Sequence, residues 1–180
     1  MIYVFLANGF EEVEAFAPVD VLRRAGKQVA TVGVGGKEIT GAHGIRVTAD
    51  LADSELDLQA QPPELVVLPG GMPGTTNLEA SPVVRRAVDT CVKLDAYLAA
   101  ICAAPSVLGH WGILKGHTAV CYPGFESELG CTVGSESVVQ SGKIITAKGA
   151  GVAVDFGLQL VCVLCGAEKS EEIRKSIQCP

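Results

Sequence analysis

Cys102 ends an apolar run, Tyr97-Leu-Ala-Ala-Ile101, and precedes Ala103-Ala104-Pro105 and a helix-like segment. A chain that passes from strand to helix over so few residues must turn sharply at the cysteine. Ala100 and Ala104, two positions either side, are small, which is the steric requirement of a nucleophile elbow. A helix behind the sulfur would aim free N–H groups and partial positive charge at it, favouring the reactive thiolate. The other six cysteines carry no such setting and read as small buried core residues.

Two further groups could serve such a thiolate. Gly70 and Gly71 follow the apolar run Glu64–Leu68 and have no side chains to block an approaching ligand. Their turn is either a tight reversal or a source of backbone donors for a developing oxyanion. Glu14 lies four residues before Pro18 in one helical pattern, so the helix should bend or break near it. A carboxyl turned inward there could meet Cys102, with a pKa raised by burial and a hydrogen bond to the sulfur. Glu11 and Glu12 read as ordinary acidic decoration of a helix N-terminus.

Elements that could place these residues alternate along the chain. Strands are predicted at 2–7, 28–34, 64–68, 97–101 and 118–121, with hairpins at 37–48 and 137–146. Helices are predicted at 11–25, 82–93, 103–111, 151–165 and 170–177. Continuous apolar strands between helices imply a mostly parallel α/β sheet covered on both faces, with ligands beyond the carboxyl ends of the strands. Three turns at such ends, Asn8–Glu12, Pro69–Gly71 and Cys102–Ala104, should converge.

The 180 residues suit one domain spanning 1–180. A hydrophobic share of 48% with 19% charged residues excludes disorder, and a net charge of −6 without basic runs argues against nucleic acid and anionic membranes. The N-terminus lacks a signal-peptide pattern, and the run 152–165 is too short and polar to span a bilayer. Seven cysteines without framework spacing suit reduced thiols in the cytoplasm.

Leu68-Pro-Gly-Gly71, Ala100-Ile-Cys-Ala-Ala-Pro105 and Gly9-Phe-Glu-Glu-Val-Glu14, with Pro18-Val-Asp20 and Arg23-Arg-Ala-Gly26, resemble the ThiJ/PfpI superfamily. The resemblance is closest to its branch containing the parkinsonism-associated protein deglycase and runs from Ile2 to about Leu164. It implies a flavodoxin-like three-layer sandwich, usually a homodimer. It also implies Cys102 as nucleophile and oxidation-sensitive thiol, Glu14 as its carboxyl partner, and Gly71 and Ala103 as oxyanion donors. Members of the family are described as glyoxalases needing no glutathione, as deglycases of methylglyoxal adducts, as oxidative-stress sensors and as chaperones; other branches hold amidases and peptidases. The implied partners are a small carbonyl substrate or glycated amine, with no cofactor and no metal.

The chain departs from that pattern at Tyr122, which fills the place of a family histidine. With a reference pKa of about 10, tyrosine is a poor general base, which argues against a Cys–His amidase or peptidase. Tyr122 is left as a hydrogen-bond donor, and His43 falls where relatives contribute a polar pocket residue, across a dimer interface in that reading. His110 and His117 read as surface or strand-end residues. Cys162-Val-Leu-Cys165 closes an apolar helix rather than opening one, so core packing is expected. Gly149-Ala-Gly151 lacks the third glycine of a dinucleotide loop and reads as a helix entry bordering the pocket.

Overall fold

Strands with no polar face need cover on both sides. The computed structural model, which describes residues 1–180, supplies it. The first strand, β1 (Ile2–Leu6), is buried at every residue. Its side chains alternate between two cores: Ile2, Val4 and Leu6 join one, Tyr3 and Phe5 the other. The chain continues through α1 (Glu12–Arg24), β2 (Val29–Gly33), β3 (Glu38–Thr40), β4 (Arg46–Thr48), β5 (Leu51–Ala52) and β6 (Leu65–Leu68). Next come α2 (Gly74–Glu79), α3 (Pro82–Lys93), β7 (Tyr97–Ile101), α4 (Pro105–His110), β8 (Thr118–Ala119) and β9 (Thr132–Val133). It closes with β10 (Val138–Ser141), β11 (Ile144–Ala147), α5 (Ala153–Cys165) and α6 (Ala167–Ser176).

The main sheet has the order β10-β11-β7-β6-β1-β2-β5. All pairs are parallel except the β10–β11 hairpin. Helices α1, α5 and α6 cover one face, and α2, α3 and α4 the other. This is a flavodoxin-like three-layer sandwich. Strands β1, β6 and β7 lie side by side, so the three unusual turns at their carboxyl ends do converge.

Several expectations need correction. Of the bend or break expected near Glu14, the break is absent: α1 runs unbroken from Glu12 to Arg24. Pro18 rests on Gly157 of α5, where a Cβ would come within 3.1 Å of the proline Cα. Close packing of the two helices offsets the one hydrogen bond that proline removes. Helix α4 begins at Pro105, not Ala103, and has only six residues. The strand expected at 118–121 is two residues long and pairs with β9 outside the main sheet. Elements β5, α2 and β9 had no strong sequence pattern. No helix is long and apolar enough to cross a membrane.

Candidate functional site

Cys102 follows β7 directly and has φ +65°, a left-handed conformation that costs a non-glycine residue about 1–2 kcal/mol. The expected elbow is therefore present. Its backbone is pinned on both sides: the Cys102 N–H donates to the Ala147 carbonyl at 2.9 Å, and the Tyr122 N–H donates to the Cys102 carbonyl at 2.8 Å. Ala100 and Ala104 are fully buried on either side of the turn.

Glu14 reaches the same place from α1. Glu11 caps that helix, its carboxylate accepting the Glu14 N–H at 2.7 Å. The Glu11 N–H in turn donates to the Gly70 carbonyl at 2.9 Å, tying the helix start to the glycine turn. The Glu14 carboxyl is 1% exposed and accepts the Gly70 N–H at 2.9 Å. Gly70 sits between the two functional side chains. A Cβ there would lie 2.6 Å from the Cys102 Cβ and 2.7 Å from Glu14 Oε2. Gly71 has φ +88°, and a Cβ on it would strike the Glu11 nitrogen. The turn is thus tight, and the Gly71 and Ala103 N–H groups lie close enough to the Cys102 sulfur to favour its charged form.

The charges of the pair are coupled. Burial pushes Glu14 from its ordinary 4.5 up to about 7; its hydrogen bond to Cys102 and the Gly70 N–H oppose this, and the Glu11 charge adds to it. Burial likewise pushes the Cys102 thiol up to about 12, followed by the negative charge and hydrogen bond of Glu14. The Gly71 and Ala103 N–H groups pull it back only in part. This overturns the expectation of a thiol acidified by its own helix. Helix α4 is short and starts with a proline that has no N–H, so it supplies little positive potential. Between about pH 7 and about 12 the pair therefore keeps one proton, on the sulfur, beside an ionised carboxyl.

Tyr122 joins the site by its backbone bond to Cys102, and its half-exposed ring lies against Gly149. Within its own chain His43 pairs with Glu12 rather than with Cys102 or Glu14. Its exposed ring hydrogen-bonds Glu12 Oε2 at 2.8 Å, with Glu11 3.9 Å away. Glu12 is the residue that sequence reasoning missed. It is buried, and it accepts the His43 N–H at 2.9 Å and the Ile45 N–H at 3.4 Å besides the ring. It clamps the β3–β4 loop onto the first turn of α1, where mere decoration was expected. Burial alone would raise its pKa, but the His43 ring and the loop N–H groups outweigh that and hold it below the ordinary value. Ligating atoms of Glu11, Glu12 and His43 lie within 4.8 Å of one another. Two of these carboxylates already serve as helix cap and loop clamp.

Ala150, in the Gly149–Gly151 stretch expected to border the pocket, turns its N–H toward Glu14 and favours the charged carboxyl. Of the six other cysteines only Cys91 and Cys121 are buried; Cys162 is half-buried and Cys165 exposed, so the CxxC pair does not fill the core. A cavity of about 330 Å³ beside Cys91, Leu98 and Ile144 lies at the opposite strand ends and touches none of these groups.

The profile of the DJ-1/PfpI family matches residues 1–162. Protein DJ-1 homolog B of Arabidopsis thaliana is 38% identical over 93% of this chain, which spans 39% of that protein's length. The glutathione-independent glyoxalase DJR-1.2 of Caenorhabditis elegans is 34% identical over 93% of this chain and 89% of its own. The solved structure of oxidized Toxoplasma gondii DJ-1 superposes with a TM-score of 0.93, at 32% identity, covering 98% of this chain and 97% of that one. By profile, sequence and fold together, the chain belongs to the DJ-1/PfpI family.

Proposed function

We propose that the protein is a glutathione-independent glyoxalase or deglycase acting on 2-oxoaldehydes through Cys102 and Glu14. The observation that carries this reading is the buried Glu14 carboxyl set against the half-buried Cys102 thiol at the left-handed elbow, with the glycine turn Gly70–Gly71 packed between them. Ionised Glu14 takes the thiol proton as Cys102 Sγ bonds to the aldehyde carbon. The carbonyl π electrons move to oxygen, where Gly71 and Ala103 N–H groups steady the charge. Protonation of that oxygen gives a hemithioacetal. Transfer of the proton on the former aldehyde carbon to the adjacent carbonyl carbon, through an enediol, gives a thioester of the 2-hydroxy acid. Water cleaves it, releasing the acid and the thiol, so the net change is addition of one water. The same attack on an aldehyde-derived adduct would release an amine. The name of the Caenorhabditis elegans relative supports the reaction class. The chain would act as one domain over 1–180, as a homodimer in the cytoplasm.

Formation of lactate from methylglyoxal by the purified protein tests the proposal. Turnover should rise with pH through about 7, as Glu14 ionises to become the base. If Cys102→Ser turns over as fast as the parent, the mechanism is wrong.

A second reading has its own support in the oxidized state of the Toxoplasma gondii structure. Here two peroxide molecules convert the Cys102 thiol to a sulfinic acid with loss of two waters, Glu14 holds the product, and altered partner or chaperone binding is the output. Peroxide treatment followed by intact mass separates the two. Selective gain of two oxygens at Cys102 with negligible turnover favours sensing. Oxidation spread over all seven cysteines counts against it.

A further inference from the structure

Beside the Glu14–Cys102 pair lies a groove of about 390 Å³, lined by Tyr122, Pro123, Ser137, Lys148 and the turn Gly149–Val152. It adjoins the reacting groups through two shared walls. Tyr122 carries the N–H that binds the Cys102 carbonyl. Gly149 separates the Tyr122 ring from the acid: a Cβ on it would lie 3.4 Å from Tyr122 Cδ2 and 3.9 Å from Glu14 Oε1. A side chain there would crowd the narrow space between the Tyr122 ring and the carboxyl.

The lining decides what it would hold. The volume falls in the range of small-molecule sites, about 300–1,000 Å³, and a methyl group would leave it nearly empty. The cation at its edge is already engaged, since Lys148 Nζ donates to the Ser135 carbonyl at 2.7 Å and faces Glu136. The groove is therefore no anion trap. What remains is the ring of Tyr122, the ring of Pro123, Val152 and bare glycine backbone, a setting for a flat apolar group.

We propose that this groove receives the substituent on the oxo carbon, and that Tyr122 sets a preference for 2-oxoaldehydes bearing an aryl group over methylglyoxal. The proposal rests on the Cys102–Glu14 chemistry above for its orientation of the substrate. A ring-on-ring contact of ordinary strength corresponds to about a two- to tenfold preference.

The test compares kcat/KM for phenylglyoxal, read as mandelate, with that for methylglyoxal, read as lactate, in the parent, Tyr122→Phe and Tyr122→Ala. The parent should favour phenylglyoxal. The ratio should survive in Tyr122→Phe, which keeps the ring, and drop about fivefold in Tyr122→Ala. A ratio below one in the parent, or one that Tyr122→Ala leaves unmoved, overturns the proposal. Equilibrium binding of mandelate and lactate to the same three proteins gives a readout that needs no turnover. If neither aldehyde reacts but mandelate binds more tightly than lactate, and Tyr122→Ala erases the difference, the glyoxalase reading fails and the groove assignment stands. If mandelate and lactate bind alike, the groove assignment fails whatever the turnover.

Discussion

Replacing Glu14 by Gln should make the protein's stability less dependent on pH, with a size fixed by the burial of that carboxyl. In the folded chain Glu14 titrates at about 7, against an ordinary 4.5. Between these values the native state keeps a proton that the unfolded chain has released. The stability tied to that proton is fully present below about 4.5, falls as pH rises to about 7 and is flat beyond. The whole fall amounts to about 3 kcal/mol, and 1% exposure leaves little solvent screening to reduce it. Glutamine keeps the shape and can still accept the Gly70 N–H, but it has no proton to lose. Urea unfolding of parent and Glu14→Gln at matched protein concentration, from pH 4 to pH 8, reads the difference. Other titrating groups are common to both chains and cancel. The variant should gain about 3 kcal/mol relative to the parent across the range, a midpoint change of about 1.5 M for a slope of ~2 kcal/mol/M. A difference that stays constant with pH, or shrinks as pH rises, would refute the desolvated acid.

Two further substitutions probe how the site is held. Gly70→Ala forces a Cβ between Cys102 and Glu14, and should cost about 1–3 kcal/mol in thermal or urea unfolding while slowing alkylation of Cys102; unchanged stability and reactivity would mean that the turn is not close-packed. Glu12→Gln removes the charge that clamps the β3–β4 loop, so hydrogen exchange at the His43 and Ile45 amides should quicken about tenfold. In the parent the same clamp should weaken in acid, because a carboxyl held below its ordinary value gives up its stabilisation as pH falls through the folded-state value. Exchange at those amides that ignores both the substitution and acid would place the loop's anchor elsewhere.

The chemistry-bearing residues and the sheet that positions them were largely legible because each has a local cause. Apolar continuity marks the buried strands, and the elbow announces itself through Ala100, Cys102 and Ala104. What was not legible depends on partners distant in sequence. Glu12 looks like any acidic residue of a helix start until the β3–β4 loop, some thirty residues on, lays its N–H groups against it. The raised thiol of Cys102 has the same origin. Its flanking sequence suggests an acidifying helix, but burial and the Glu14 charge arrive from the fold. The unbroken helix through Pro18 required knowing that Gly157 would face it.

The bonds that pin Cys102 have a consequence for the order in which reactivity appears. Its strained backbone is held by Ala147 and Tyr122, and its acid approaches from the first turn of α1. A growing chain that has emerged only as far as α4 contains Cys102 and Glu14 but lacks both clamps. The elbow can settle only after β11 has paired with β7. The rate at which an electrophile labels Cys102 therefore timestamps the arrival of the C-terminal third: a chain truncated before Ala147 would carry this cysteine as an ordinary thiol, and the finished fold would slow its labelling by pushing the thiol up to about 12.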